Sequence, residues 1–468
     1  MTPNLHLKSA AKAALERIVA GLPGAGCILL LWAAIATSCG GGSSSTPPPP
    51  GKGAPSANLS ATVVTFVTQK VGTTSAASDV ILTNSGTAAL NVSAISLSGA
   101  NLAEFAETND CAGSVAASSS CTIGVTFRPS AEGKRTATLS IKDNAPGSPQ
   151  SVALAGTGGT GINPDPLGTV ISSQTTACSG GLAGDCTQLT IACPDVANIT
   201  PTLKVIHPSG ASAGTIMFIV GGGGVGFYDK SFAFGSDTVN KVLAAGFTAV
   251  EIDFAGPSAG WLTGPGGPRK LACRFATAAL WVHDHVRTGG TPFCATGNSA
   301  GSGAIAYGLA HFGLGGIFDM VEPTSGPPMG RLDIGCVCAG AKMAGPCGTT
   351  LLTTCIGLSD AQAYIDPAYG SPICSNAVTT HDTTNEALFL NDSVASPDAT
   401  YAYPTTDVHA LYGGMDLTAS VPLGLDWVNL ISTQKEIECV MSAAHSMPDN
   451  QTAADKIGSD LASSCKAQ

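Results

Sequence analysis

Charged side chains are few: Asp, Glu, Lys and Arg together make up 11% of the 468 residues, against 44% hydrophobic. A chain of this length and apolar content can bury large cores in more than one domain, which excludes the disordered class. A basic block is missing as well. With a formal net charge of −11, the chain lacks the cationic surface that phosphate binding requires, and no nucleic-acid partner is expected. The apolar run at 27–36 is only about half of the roughly 20 residues that a spanning helix needs, which argues against a permanent membrane helix. No histidine lies near Cys336-Val337-Cys338 to complete a zinc site, so no metal is expected there.

What the N-terminus does contain is Lys8, Lys12 and Arg17, then the short apolar run, then the small residues Ala36-Thr37-Ser38 ahead of Cys39. That order reads as an export signal over residues 1–38. Ala36-Thr37-Ser38-Cys39 also resembles a bacterial lipobox, which implies acylation of Cys39 and membrane attachment through an N-terminal lipid. Ala36 stands where Leu is usual, and plain secretion after nearby cleavage is the alternative. Apart from Cys27 and Cys39, 14 of the 16 cysteines remain, an even number that reads as disulfides in an exported chain. Residues 39–57 are a Gly/Ser/Pro-rich tether that cannot bury apolar area.

Residues 58–158 read as short β-runs, such as Val63-Val64-Thr65-Phe66-Val67 and Thr138-Leu139-Ser140-Ile141, separated by turn residues. This spacing predicts an all-β sandwich. Asn84-Ser85-Gly86-Thr87-Ala88, Ser120-Cys121-Thr122, Phe127-Arg128-Pro129 and Leu154-Ala155-Gly156-Thr157-Gly158 resemble the ASPM/SPD-2/Hydin immunoglobulin-like domains of bacterial surface proteins. Cys111 and Cys121 are a disulfide candidate closing a short loop. No catalytic set is present in this segment, which leaves a presentation or adhesion module, or a rigid spacer.

After a second Gly-rich linker at 159–168 the pattern changes to strands alternating with helix-length segments, the mark of βα units on a largely parallel sheet. Strands are predicted at 215–220, 248–254, 292–296, 317–322, 408–412 and 437–441, and helices at 237–245, 271–286, 300–311 and 454–461.

G-x-S-x-G occurs three times, around Ser212, Ser258 and Ser299, so the pentapeptide alone decides nothing. A nucleophile elbow needs a strand before the serine and a helix after it. Only Gly297-Asn298-Ser299-Ala300-Gly301 has both: Ser212 precedes a strand, and Gly264-Pro265-Gly266-Gly267-Pro268 follows Ser258 where a helix should start. Upstream, the 215–220 strand runs into Gly221-Gly222-Gly223-Gly224-Val225, where the N–H groups of Gly223 and Gly224, with that of Ala300, are candidates for holding an oxyanion. The loop lacks the Lys-Ser/Thr of a phosphate-binding loop and resembles the GGGX loop of lipases and carboxylesterases, with Val220 in place of the His of the HGGG variant. Asp416, at the C-terminal end of the 408–412 strand, is the candidate acid, in preference to Asp407 at the strand start and Asp426 in a helix. His445, just beyond the last strand, is the candidate base.

The order Ser299, Asp416, His445 together with the glycine loop makes 169–468 resemble secreted bacterial α/β-hydrolases. The resemblance implies an α/β fold and attack of Ser299 on a carbonyl, with His445 as base, Asp416 orienting it, and no cofactor. Residues 327–405, too long for an ordinary connection and carrying five cysteines, read as a disulfide-stapled cap. Carboxylic ester hydrolysis leads, on a small or polymeric ester such as a polyester or acylated polysaccharide. A peptidase or amidase of the same fold, and an adhesion protein with an inactive hydrolase domain, are the alternatives. Location is extracytoplasmic, either secreted or lipid-anchored.

Overall fold

The computed structural model describes residues 53–467 apart from 76, 112, 160–163, 256–259, 339–341 and 349–350. The export signal, Cys39, most of the first tether, Ser258 and part of the second linker lie outside the described residues.

The N-terminal strands form two four-stranded sheets. Ala57–Leu59, Ser78–Asn84, Ser120–Phe127 and Phe105–Asn109 make one; Val63–Lys70, Gln150–Gly159, Gly133–Lys142 and Ala94–Ser98 make the other. Alternation along the strands aims Val80, Leu82, Ile123 and Val125 at Leu139, Ile141, Val152 and Leu154, all buried. Phe105 stacks on Phe127 with ring centroids 4.8 Å apart, and Phe66 joins them. Cys111 is bonded to Cys121.

The second part is one nine-stranded sheet. Its strands are β1 (Thr169–Thr176), β2 (Asp185–Ala192), β3 (Thr202–Ile206), β4 (Thr215–Ile219), β5 (Thr248–Asp253), β6 (Phe293–Asn298), β7 (Met320–Thr324), β8 (Asp407–Gly413) and β9 (Lys435–Val440). The helices that bear on the site are α1 (Tyr228–Ser231), α2 (Gly235–Ala244), α3 (Cys273–His285), α4 (Ala300–His311), α5 (Ser420–Leu430) and α6 (Gln451–Ser464). Spatial order is β1-β2-β3-β5-β4-β6-β7-β8-β9. The first three strands pair antiparallel, while β4 to β9 are all parallel. The exchange of β4 and β5 in an otherwise sequential sheet is the strand order of the α/β-hydrolase fold, and it sets the C-terminal ends of β4 and β6 side by side.

Strand β4, Thr-Ile-Met-Phe-Ile, is buried on both faces. Met217 and Ile219 pack toward Phe275 of α3 and Ile305 of α4; Ile216 and Phe218 pack toward Val239 of α2 and Ile457 of α6. Each such side chain contributes about 1.5–3 kcal/mol by leaving water.

The strand predicted at 317–322 is displaced to Met320–Thr324, because Ile317 and Phe318 donate their N–H groups to Leu314 O and close a 3₁₀ turn. The sequence pattern missed the three antiparallel strands β1, β2 and β3: β1 is exposed along most of its length and carries no apolar run, and in β2 and β3 polar residues interrupt the apolar ones. All fourteen cysteines outside 1–52 are bridged. Cys336 pairs with Cys374 and Cys338 with Cys355, so neither sulfur of Cys336-Val337-Cys338 is a free thiolate. Cys294 of β6 pairs with Cys465 just after α6, closing 171 residues.

A loop of that length restricts the unfolded chain strongly, and in the chain-entropy picture the bridge is worth about 4–5 kcal/mol. The double variant Cys294→Ala/Cys465→Ala is therefore expected to lose several kcal/mol in guanidinium unfolding at pH 7. The variant Cys178→Ala/Cys186→Ala, which opens only an 8-residue separation, should lose clearly less.

Candidate active site

The turn from β6 into α4 carries Ser299 with φ 54° and ψ −120°, a backbone conformation that a non-glycine residue holds only when its surroundings impose it. Those surroundings are close. A Cβ on Gly301 would lie 2.6 Å from Val220 O and 2.7 Å from Ile219 O, and one on Gly297 would lie 2.7 Å from the carbonyl carbon of Gly301. Glycine at both positions lets the first turn of α4 pass directly over the end of β4. Ser299 N–H donates to Thr324 O at 2.9 Å, which ties the turn to β7.

Asp416 and His445 arrive from the ends of β8 and β9. His445 Nε2 is 2.9 Å from Ser299 Oγ, and His445 Nδ1 is 2.9 Å from Asp416 Oδ2. The carboxylate at Nδ1 favours the tautomer with hydrogen there, leaving the Nε2 lone pair facing the serine hydroxyl. Asp416 is buried, which pushes its pKa up, but hydrogen bonding and charge from His445 and hydrogen bonds from Thr418 outweigh this and hold the carboxyl below its ordinary value. Sequence reasoning missed Thr418. Its N–H donates to Asp416 Oδ1 at 3.0 Å and its Oγ1 lies 3.2 Å from His445 Nδ1; an acidic residue two positions before a Thr is the local signal for such a turn. The two loops are joined to one another, since Met415 N–H donates to Ala443 O, and Met447 N–H donates to Asn298 Oδ1 in the elbow itself.

The glycine loop requires a correction at Gly224. Gly224 donates its N–H to Gly221 O at 3.0 Å in a tight turn, so that N–H is already engaged. A Cβ on Gly223 would meet Gly260 at 3.1 Å. The residues of this loop that line the cavity beside Ser299 and Ala300 are Gly221 and Gly222, with Gly221 so near that an added Cβ would be 3.3 Å from Ser299 Cβ. The turn Gly221–Gly224 decides this, and run length alone cannot show where in five residues a turn closes. Ala300 is the first residue of α4, where N–H groups have no partner within the helix and the helix dipole favours negative charge.

Beneath the loop, Lys204 of β3 is fully buried between Asp229 of α1 and Glu251 of β5. Its Nζ is 2.7 Å from Asp229 Oδ2 and 4.4 Å from the centre of the Phe227 ring, and Glu251 accepts the Asp229 N–H at 2.7 Å. Burial pushes the Glu251 carboxyl up, partly countered by Lys204. No sequence signal connects these three charges, which lie on separate elements.

The serine opens on a cavity of about 710 Å³ walled by the elbow, the glycine loop, the loop after β8 and the 351–365 segment. Tyr364 of that segment packs on Gly222. Among the described lining residues there is no Lys or Arg, and Asp360 is the sole carboxylate. The 327–405 region that supplies the outer wall holds the bridges Cys336–Cys374 and Cys338–Cys355, and Cys347–Cys439 ties it to β9. Of the other two G-x-S-x-G serines, Ser212 is not among the residues lining this cavity, its Oγ donating to Gly214 O at 2.7 Å ahead of β4, and Ser258 is outside the described residues.

Residues 54–151 match the family model described as "Abnormal spindle-like microcephaly-assoc'd, ASPM-SPD-2-Hydin". No curated protein matches the chain. Solved structures that resemble it include Est1E from Butyrivibrio proteoclasticus, at 11% identity over 60% of this chain and 98% of that one, with a TM-score of 0.35. Brefeldin A esterase, titled a bacterial homologue of human hormone sensitive lipase, is 17% identical over 59% of this chain and 75% of its own, with a TM-score of 0.38. Acetyl xylan esterase 1 from Thermoanaerobacterium sp. JW/SL YS485 is 16% identical over 61% and 83%, with a TM-score of 0.36. These likenesses are faint, and the fold assignment rests on strand order.

Two substitutions test the supports of the site. Gly301→Ala sets a methyl against the carbonyls of β4 and is expected to destabilise by about 1–3 kcal/mol, whereas Gly289→Ala, with no atom within 4 Å, should leave the thermal midpoint unchanged. Lys204→Met leaves two buried carboxylates without their cation and is expected to lose about 3–5 kcal/mol, read by urea unfolding.

Proposed function

We propose that this protein is an extracytoplasmic serine hydrolase that cleaves carboxylic esters through an acyl-enzyme. The observation that carries the reading is the continuous hydrogen-bonded chain Ser299 Oγ, His445 Nε2, His445 Nδ1, Asp416 Oδ2, with 2.9 Å at each contact and the serine held at positive φ over the cavity. His445 takes the Ser299 proton as Oγ attacks the ester carbonyl, and Asp416 stabilises the imidazolium that forms. The oxyanion then develops beside the N–H of Ala300 and the Gly221-Gly222 segment, the groups nearest to it in the cavity. His445 returns the proton to the leaving alcohol, and water repeats the sequence on the acyl-enzyme. No step needs a metal or cofactor.

Seven disulfides favour an oxidising compartment, and no helix among the described residues is long and apolar enough to cross a membrane. The export signal and lipobox-like Cys39 support secretion or lipid attachment, with the β-sandwich as a rigid spacer between envelope and enzyme.

A labelled fluorophosphonate should modify the protein on Ser299 alone. Ser299→Ala is expected to abolish labelling and to lower turnover of p-nitrophenyl butyrate by at least about four orders of magnitude, and Asp416→Asn to lower it by about 10⁴. Labelling that persists in Ser299→Ala, or that maps to Ser258, sinks the assignment.

A further inference from the structure

Large exposed apolar side chains are concentrated at the mouth of the cavity. Thirteen are exposed among the described residues, and six of them, Val225, Leu351, Leu358, Tyr364, Met415 and Leu417, either line the cavity or lie within two residues of a residue that does. Three are more than 60% exposed: Leu351 at 61%, Met415 at 62% and Leu417 at 64%. They come from three separate pieces of chain. Val225 is at the end of the glycine loop, Met415 and Leu417 flank Asp416, and Leu351, Leu358 and Tyr364 belong to the outer wall. Leu351 is two residues before Thr353 on the same short strand, so both side chains leave one face, and Thr353 lines the cavity. Leu358 stands between the lining residues Gly357 and Asp360. Scattered surface leucines are ordinary, but apolar residues gathered from distant segments around one opening mark a surface that meets another apolar phase.

We infer that this rim seats the enzyme on an uncharged, water-insoluble aliphatic ester, so that chains in the solid surface enter the cavity without first dissolving. The inference rests on the ester-hydrolase reading of the same site. Its commitment to an uncharged surface follows from electrostatics. The chain carries a formal net charge of −11, and the described lining residues include no Lys or Arg while Asp360 is their sole carboxylate, so an anionic lipid surface is repelled where an uncharged ester is not. Continuity of the rim with the cavity separates this surface from a remote adhesion patch, because a chain lying on the rim is already at the entrance to Ser299. The outer wall is pinned by Cys338–Cys355 and Cys347–Cys439, and the rim residues are already exposed in this structure.

The test uses the full-length, disulfide-intact protein and two readouts. Adsorption to polycaprolactone particles is measured by co-sedimentation in the Ser299→Ala background, where no hydrolysis alters the surface, and turnover is measured separately on monomeric p-nitrophenyl butyrate below its solubility limit. The double variant Leu351→Ser/Leu358→Ser, neither residue of which lines the cavity, is expected to weaken adsorption at least fivefold and to slow polycaprolactone hydrolysis in proportion, with turnover of the soluble ester within twofold of wild type. Unchanged adsorption in the double variant overturns the inference. So does binding to anionic phosphatidylglycerol vesicles as strong as binding to the particles. If no ester is turned over while adsorption persists and still falls in the double variant, the hydrolase reading fails and the apolar docking surface stands.

Discussion

Everything at the site hangs on how closely the first turn of α4 passes over the end of β4. That contact is backbone to backbone, Gly301 against the carbonyls of Ile219 and Val220, and it leaves no room for a side chain. It holds Ser299 in a conformation that an isolated peptide would leave at once, and it sets the glycine loop after β4 directly beside the serine. The fold supplies the compensation. Both strands are buried on both faces among apolar side chains from four helices, so separating them to relax one residue would open the core.

The rest of the molecule reads as a set of restraints on this contact, made with little charge. Asp416 and His445 sit on loops that are hydrogen-bonded to one another and, through Asn298, to the elbow. The Lys204 cluster is a buried place where opposite charges meet from three elements, β3, α1 and β5. One cation serves two carboxylates there, and its removal would leave both in a medium that cannot solvate them. Elsewhere covalent bonds take the part that ion pairs take in more highly charged chains: Cys294–Cys465 fastens β6, which leads to Ser299, to the end of the last helix, and Cys347–Cys439 fastens the outer wall to the strand that leads to His445.

The outer wall brings a second consequence. It is bridged to itself and to β9, and its apolar residues Leu351, Leu358 and Tyr364 stand exposed near the cavity, as do Met415 and Leu417. A rim of that kind would be a liability on a protein that met only dissolved substrates, since it invites association. On the proposed reading it is the surface that meets the solid ester.

The sequence by itself determined the local pieces. Alternation and turn residues marked the β-sandwich; the strand, glycines and helix around Ser299 separated it from Ser212 and Ser258; chain order picked out Asp416 and His445. The first two were legible because each depends on near neighbours in the chain, and the third because each candidate follows a strand in a recognisable order. The tertiary structure decided what depends on residues far apart: the pairing of the cysteines, the meeting of Lys204, Asp229 and Glu251, the role of Thr418, and the exposed edge strand β1, which carries no apolar run to betray it. It also decided which glycines of Gly221-Gly222-Gly223-Gly224 stand at the serine. All four look alike in one dimension, and only the turn that engages the Gly224 N–H, together with the direction from which α4 arrives, sets Gly221 and Gly222 at the cavity.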